Sequence, residues 1–433
     1  MTAVTDQTPP QPDDAACGGC AEGRRAATTT RRGLLKAALA AGAALTTSTV
    51  STQVAHAAPQ AGWIGDTLVV LSLRGGFDGL SAVAPVGDPE HLRLRPGIGL
   101  TAGAAIQLDD RFGLHPALGA LKPLYDNGSL GVVHAVGMPD PNRSHFAAME
   151  AVERAAPGSS IRTGWLERSL GLRAADGPFD AVQLGSTAAP PSLAGPREEI
   201  ALEGLDRLRL HGADDAAQRA RWARALTALH SGASAPVRGP ARSALAAVAQ
   251  SGRLPAPAPG GYPDSHLGRA LRDVARLLRS SAGVRVATVD EGDWDMHAGL
   301  GRPDAGWMHD KLTDLAHSLA AFAADLGPLM QRVTLVTMSE FGRRAAENGS
   351  GGVDHGWGNA MLLMGGGVVG GRVHGVWPGL APGDLVQGDL RATTDHRAVL
   401  ADVLRHRCGA TTAAVREVFP GWTGSTLGVT RPR

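Results

Sequence analysis

Short apolar runs alternating with helical stripes constrain this chain more than any other feature. Thr67–Leu73 (TLVVLSL) is apolar on both faces and ends in the glycine turn Arg74-Gly75-Gly76-Phe77-Asp78-Gly79. Leu130–Val136, Val284–Val289, Val333–Met338 and Ala360–Met364 have the same character: brief, β-branched or Leu-rich, and bounded by glycine. Such runs suit buried parallel strands. Between them, Leu312, Leu315, Leu319, Phe322 and Leu326 recur in steps of three and four, which places one apolar stripe of a helix on a sheet. Leu267–Leu278 repeats the pattern, with arginines between Leu271, Val274, Leu277 and Leu278. The alternation predicts an α/β fold, a three-layer sandwich with a largely parallel central sheet. Folds of this kind place their chemistry in the loops at the carboxyl ends of the strands.

The N-terminal segment has a different logic. Thr29-Thr30-Arg31-Arg32-Gly33-Leu34-Leu35-Lys36 is a twin-arginine pattern, followed by an Ala-rich apolar stretch from Ala37 to Leu45 and by Ala55-His56-Ala57, where small residues mark a cleavage site. This order predicts a signal peptide over 1–57. The expected partners are the twin-arginine translocase and a signal peptidase, and the destination is the periplasm, the cell wall or the medium. Removal of 1–57 takes away five basic residues (Arg24, Arg25, Arg31, Arg32, Lys36) and four acidic ones (Asp6, Asp13, Asp14, Glu22). Of the 42 basic and 41 acidic residues in the chain, 37 of each remain. That balance gives no sign of a nucleic-acid-binding surface. Cys17 and Cys20 leave with the leader, so Cys408 has no disulfide partner. No apolar run of the mature chain is long enough to span a bilayer. Residues 58–433 are read as one α/β domain, with an Ala-, Pro- and Gly-rich helical insertion or cap at about 186–262.

Polar residues gather where the predicted strands end. Asp78 follows the first. Arg143, Ser144 and His145 follow the second, at the start of a helical pattern. Asp293, Asp295 and His297 follow the Val284 run, and Glu340 and Arg343 follow the Val333 run. Asp354 and His355 precede the Ala360 run, and Asp395 and His396 open the last helix. Aspartate and histidine together supply the oxygen and imidazole ligands that suit zinc, manganese, calcium or iron. A serine at a helix N-terminus beside such an ion is a nucleophile candidate, and Arg143 and Arg343 are candidate clamps for a phosphate or sulfate ester. Each residue also has a structural reading: Ser144 as a plain helix cap, Glu340 with Arg343 as an ion pair, Asp78 as a turn residue.

RGGFDG, RSHF, the D-x-H after a strand, SEFGR, DHGWGN and GGRVHGVWP, in this order, resemble the bacterial domain-of-unknown-function 1501 family over nearly all of the mature chain. The resemblance implies an alkaline-phosphatase-like fold and, by analogy with phosphatases and sulfatases, a metal-dependent hydrolase of small anionic esters. It implies Asp78 as a metal ligand from the first strand and Ser144 at the nucleophile position. It also implies Asp295 (or Asp293, by the Asp293-x-x-x-His297 spacing), His297 and His355 as one metal site. One departure stands out. Where two-metal relatives carry an adjacent Asp-His, this chain has Glu340-Phe341, and Asp354-His355 comes only later, so one good site and one weakened or absent site are expected. The alternative is a non-catalytic binding protein on a degenerate phosphatase-like fold.

Overall fold

The computed structural model describes residues 65–172, 177–213, 215–258 and 260–433. The expected signal peptide over 1–57 lies outside the described residues. The principal strands are β1 (Thr67–Leu73), β2 (Leu130–Gly137), β3 (Ala181–Leu184), β4 (Ile200–Leu202), β5 (Val286–Glu291), β6 (Val333–Met338), β7 (Asn359–Gly365), β8 (Val373–His374) and β9 (Thr394–Asp395). They form one sheet in the order β8-β2-β7-β6-β1-β5-β3-β4, with β9 also on β2. All pairings are parallel except those of β7, which runs antiparallel to both β2 and β6. The principal helices are α1 (His145–Arg154), α2 (Trp165–Gly171), α3 (Ala216–Ser231), α4 (Ala235–Ser251), α5 (His266–Leu278), α6 (Trp307–Leu326), α7 (His396–His406) and α8 (Thr412–Val418).

Strand periodicity sorts the core into two layers. Val69, Leu71 and Leu73 of β1 face α5 and α6 on one side. Leu68 and Val70 face α1, α2, α7 and α8 on the other. Leu312, Leu315, Leu319, Phe322 and Leu326 are all buried on the first side, as their spacing predicts, each worth about 1.5–3 kcal/mol of apolar transfer. The three-layer α/β sandwich expected from the alternation is the fold observed.

Three readings of strands need correction. The run expected to begin at Val284 enters the sheet at Val286, because Arg285 is buried in an ion pair with Asp180 and the ladder opens at the Leu68–Val286 pair. The Ala360 run is a strand but an antiparallel one. The connection 339–358 contains no crossover helix, so the chain can only return beside β6 in the opposite direction. The short strand β3 and the edge strand β4 have too few residues to show a period, and β4 lies inside the stretch read as an insertion. It pairs in parallel with β3 through Val182 and Ile200, so the stretch adds a strand to the sheet as well as the hairpin α3–α4.

Beside β4, Glu199 is buried, and its Oε2 has no hydrogen-bond partner. Burial, with the Glu167 charge adding to it, pushes its carboxyl up to about 8. The unfolded chain releases this proton near pH 4.3, at about the ordinary glutamate value, while the folded chain keeps it. Stability therefore falls as pH rises between those two values and levels off above about 8. Glu199→Gln removes that titration. In urea melts the variant is expected to match the wild type at pH 4 and to exceed it by at least ~2 kcal/mol at pH 8, the full shift being equivalent to ~5 kcal/mol. An equal gap at both pH values would refute the assignment.

Candidate metal centre

Because β7 runs antiparallel, its amino end and the carboxyl ends of β1, β2, β5 and β6 lie on one edge of the sheet, and the loops there build the site. After β5, Asp293-Trp294-Asp295-Met296-His297 alternates: Trp294 and Met296 are buried, and Asp293, Asp295 and His297 face out. The Gly75-Gly76 turn after β1 supports this segment. Gly75 has φ +113°, and a Cβ there would stand 2.8 Å from the Asp295 backbone nitrogen. A Cβ on Gly76 would stand 2.6 Å from the Phe341 ring.

Three imidazoles converge on Asp295. His297 Nε2 lies 3.0 Å and His355 Nε2 3.1 Å from Asp295 Oδ1, and His145 Nε2 lies 3.4 Å from Oδ2. The His297 and His355 Nε2 atoms are 2.9 Å apart. Ligand atoms of His145, Asp295 and His355 fall within 4.8 Å of one another. The opposite ring nitrogen of each histidine is held from behind: His145 Nδ1 by Glu340 Oε1 at 2.7 Å, His297 Nδ1 by Asp354 Oδ1 at 2.8 Å, and His355 Nδ1 by the Arg143 carbonyl at 2.8 Å. Carboxylates and carbonyls only accept, so each Nδ1 carries the proton and donates it. In the neutral tautomer so fixed, each Nε2 is the ring nitrogen left to face the Asp295 carboxylate and the other rings. Lone pairs facing an anion repel, and a cation at their centre reverses the sign of every contact. His145 Nε2 is buried without a hydrogen bond, which marks the same need.

The surroundings fix this geometry. Glu340 is buried and also accepts from the Gly75 amide at 2.8 Å and from Ser339 Oγ at 3.1 Å. Arg343 is fully buried. Its guanidinium donates to the carbonyls of Gly75, Gly76, Val353 and Trp294 and, at 2.7 Å, to Asp295 Oδ1. Partial burial acts to raise the Asp295 carboxyl, but the hydrogen bond and positive charge of Arg343 outweigh it and hold it below the usual carboxylate range. The His297 hydrogen bond likewise keeps Asp354 low. Phe341 is buried under the cluster, with ring centroids 4.9 Å from His145 and 4.6 Å from His355. The residue that departs from the two-metal pattern is thus the apolar floor of the histidine cluster.

Of the residues expected as ligands, the structure brings Asp295, His297 and His355 together. Glu340 and Asp354 stand one layer back, gripping histidines. Asp78 is buried in an ion pair with Arg95 at 2.5 Å and accepts from Ser81 at 2.6 Å, which consumes its carboxylate. Asp293, at φ +70°, is exposed and makes no hydrogen bond to another described side chain. The two arginines expected as anion clamps are engaged elsewhere: Arg143 by Asp389, and Arg343 by the carbonyls above. Ser144 occupies the N-cap position of α1 but makes no side-chain cap, so its exposed hydroxyl is not spent on the helix. His145 was missed as a ligand. Its signal is its place in the first turn of a helix that opens just after a strand end, beside Ser144.

Residues 66–417 match the family described as "Protein of unknown function (DUF1501)". The chain belongs to this family. The DUF1501 match spans every residue of the histidine cluster. No curated protein matches the chain. Among solved structures it is similar to a protein in the alkaline phosphatase superfamily from Vibrio parahaemolyticus, at 11% identity and TM-score 0.35, covering 73% of this chain and 63% of that one. It is also similar to the PsFucS1 sulfatase from Pseudoalteromonas sp., at 10% identity and TM-score 0.38, covering 85% and 74%. A third is the C-terminal periplasmic domain of EcEptC from Escherichia coli in complex with Zn, at 9% identity and TM-score 0.31, covering 70% and 73%. The DUF1501 chain thus spans less than two thirds of the first of these. Among the described residues no helix is long and apolar enough to cross a membrane.

Proposed function

We propose that this protein is an exported, metal-dependent hydrolase of phosphate or sulfate esters, working at one metal centre held by His145, Asp295, His297 and His355. The observation that carries the reading is the set of three Nε2 atoms gathered on one carboxylate, each ring fixed by its own acceptor at Nδ1. Three nitrogens and one oxygen suit zinc, manganese or iron, and the buried, unpartnered His145 Nε2 fits a bound ion. Such an ion supplies Lewis-acid polarisation and favours ionisation of a nearby hydroxyl.

The chain's own groups supply the rest. Glu340, Asp354 and the Arg143 carbonyl hold the imidazoles in one tautomer. Ser144 presents a hydroxyl at the start of α1, where the backbone N–H groups of the first turn have no side-chain cap and favour an anion. Its oxygen would bond to phosphorus or sulfur as the ester oxygen leaves as the alcohol, and water would then free the serine. The leader over 1–57 supports delivery by the twin-arginine route, with the ion loaded before export.

A second reading, an ion-binding protein without turnover, is favoured by the engagement of both Arg143 and Arg343. One experiment separates the two. Metal content is measured by mass spectrometry on the purified chain, which is then assayed on aryl phosphates and aryl sulfates before and after chelation. About one equivalent of metal with chelator-sensitive turnover supports the hydrolase. One equivalent without turnover supports the binding protein. A folded chain that holds no metal and takes none up on dialysis refutes both.

A further inference from the structure

The near-neutral total charge conceals a strong local separation. Residues 216–263 contain six arginines and no aspartate or glutamate. They include the hairpin α3–α4, whose first helix has no buried residue and packs chiefly on the second. Trp222, Ala225, Leu226 and Leu229 lie in steps of three, one and three along α3, which puts them on one stripe. Trp222 is 40% exposed and Leu229 59%, and Val237 at the start of α4 is 42% exposed. Arg221 lies at one margin of the stripe, Arg224 on the far side of the helix, and Arg238 and Arg242 follow on α4, all four exposed.

From this we infer that the α3–α4 hairpin is a docking surface for an anionic phospholipid bilayer. A hairpin with arginines at headgroup level and Trp, Leu and Val beside them has the composition of an interfacial element. Tryptophan favours that boundary because its ring is apolar and its N–H is polar. Charge selects the occupant. A second copy of this hairpin would set arginine against arginine, and a zwitterionic surface leaves the cations unanswered. A polyanion without an apolar phase leaves Trp222 and Leu229 in water. The surface does not involve the histidine cluster, so it stands or falls independently of the ester chemistry.

The test is flotation of the full chain with two vesicle types: pure phosphatidylcholine, and equal parts phosphatidylcholine and phosphatidylglycerol. The chain is expected to float with the mixed vesicles and to stay behind with the neutral ones. Arg221→Glu with Arg238→Glu is expected to lower partitioning into mixed vesicles at least about tenfold, and Trp222→Ser with Leu229→Ser is expected to lower it as well. These residues are exposed, so circular dichroism should be unchanged. Comparing variants isolates the hairpin from the basic, apolar N-terminal segment. Flotation of the arginine pair equal to wild type overturns the proposal. So does tight binding to duplex DNA that the Trp222/Leu229 pair leaves unchanged, which would make the face a general polyanion site.

Discussion

Ser144→Ala is expected to lower ester turnover at least about 1000-fold while leaving the metal content of the protein unchanged. The hydroxyl makes no cap to α1, so its loss removes no hydrogen bond from the fold. His355→Ala is expected to lose metal and turnover together. It deletes one of the nitrogens that meet at Asp295 and leaves the Arg143 carbonyl without its donor. Glu340→Gln falls between them. All ligands survive, but His145 loses the negative charge behind its Nδ1, and metal affinity should fall about 10–100-fold. Metal titration followed with a competing chelator, together with turnover on the same samples, reads all three. Wild-type turnover in Ser144→Ala would remove the serine from the mechanism. Full metal content in His355→Ala would remove the centre itself.

The largest cost to stability is expected at Arg343. Its guanidinium satisfies four backbone carbonyls drawn from three separate loops, and it is fully buried. Methionine at 343 fills much of the same volume but donates nothing. A buried acceptor left without a partner costs ~1–3 kcal/mol, and water entry will recover part of the sum. Arg343→Met should therefore destabilise the protein by at least ~4 kcal/mol. The neighbouring Arg344 is the control. Its side chain is partly exposed and lies 3.9 Å from Asp389, too far for a hydrogen bond, so Arg344→Met should cost under ~1 kcal/mol. Urea midpoints for the two variants decide the matter, and similar losses would mean that the carbonyl staple is not what holds these loops.

What could be read in advance follows from the range of the forces involved. The helix at Leu312–Leu326 was legible because its burial repeats with a fixed period, and the strands at Thr67 and Val333 because a short run buried on both faces is apolar throughout. Asp295, His297 and His355 were legible because polar residues directly after or before apolar strands have few structural uses. The roles of Arg143 and Arg343 were not. Their partners are an aspartate at 389 and backbone carbonyls at 75, 76, 294 and 353, and a carbonyl has no letter in a sequence. Glu340 and Asp354 carry the right chemistry for ligands, and only three dimensions reveal histidines between them and the centre. Phe341 reads as a missing ligand in a row of letters and is a stacking surface in space.

The staple at Arg343 also bears on the order in which the molecule can be made. Its carbonyl partners lie up to 268 positions away along the chain, and the histidines it helps to align come from positions 145, 297 and 355. A nascent chain that has emerged only as far as the sixth strand has neither the staple nor the last imidazole. High sequence separation of this kind delays closure until the sheet is paired. An ion-competent cluster is therefore a late event, and ion uptake during synthesis would time the completion of the fold.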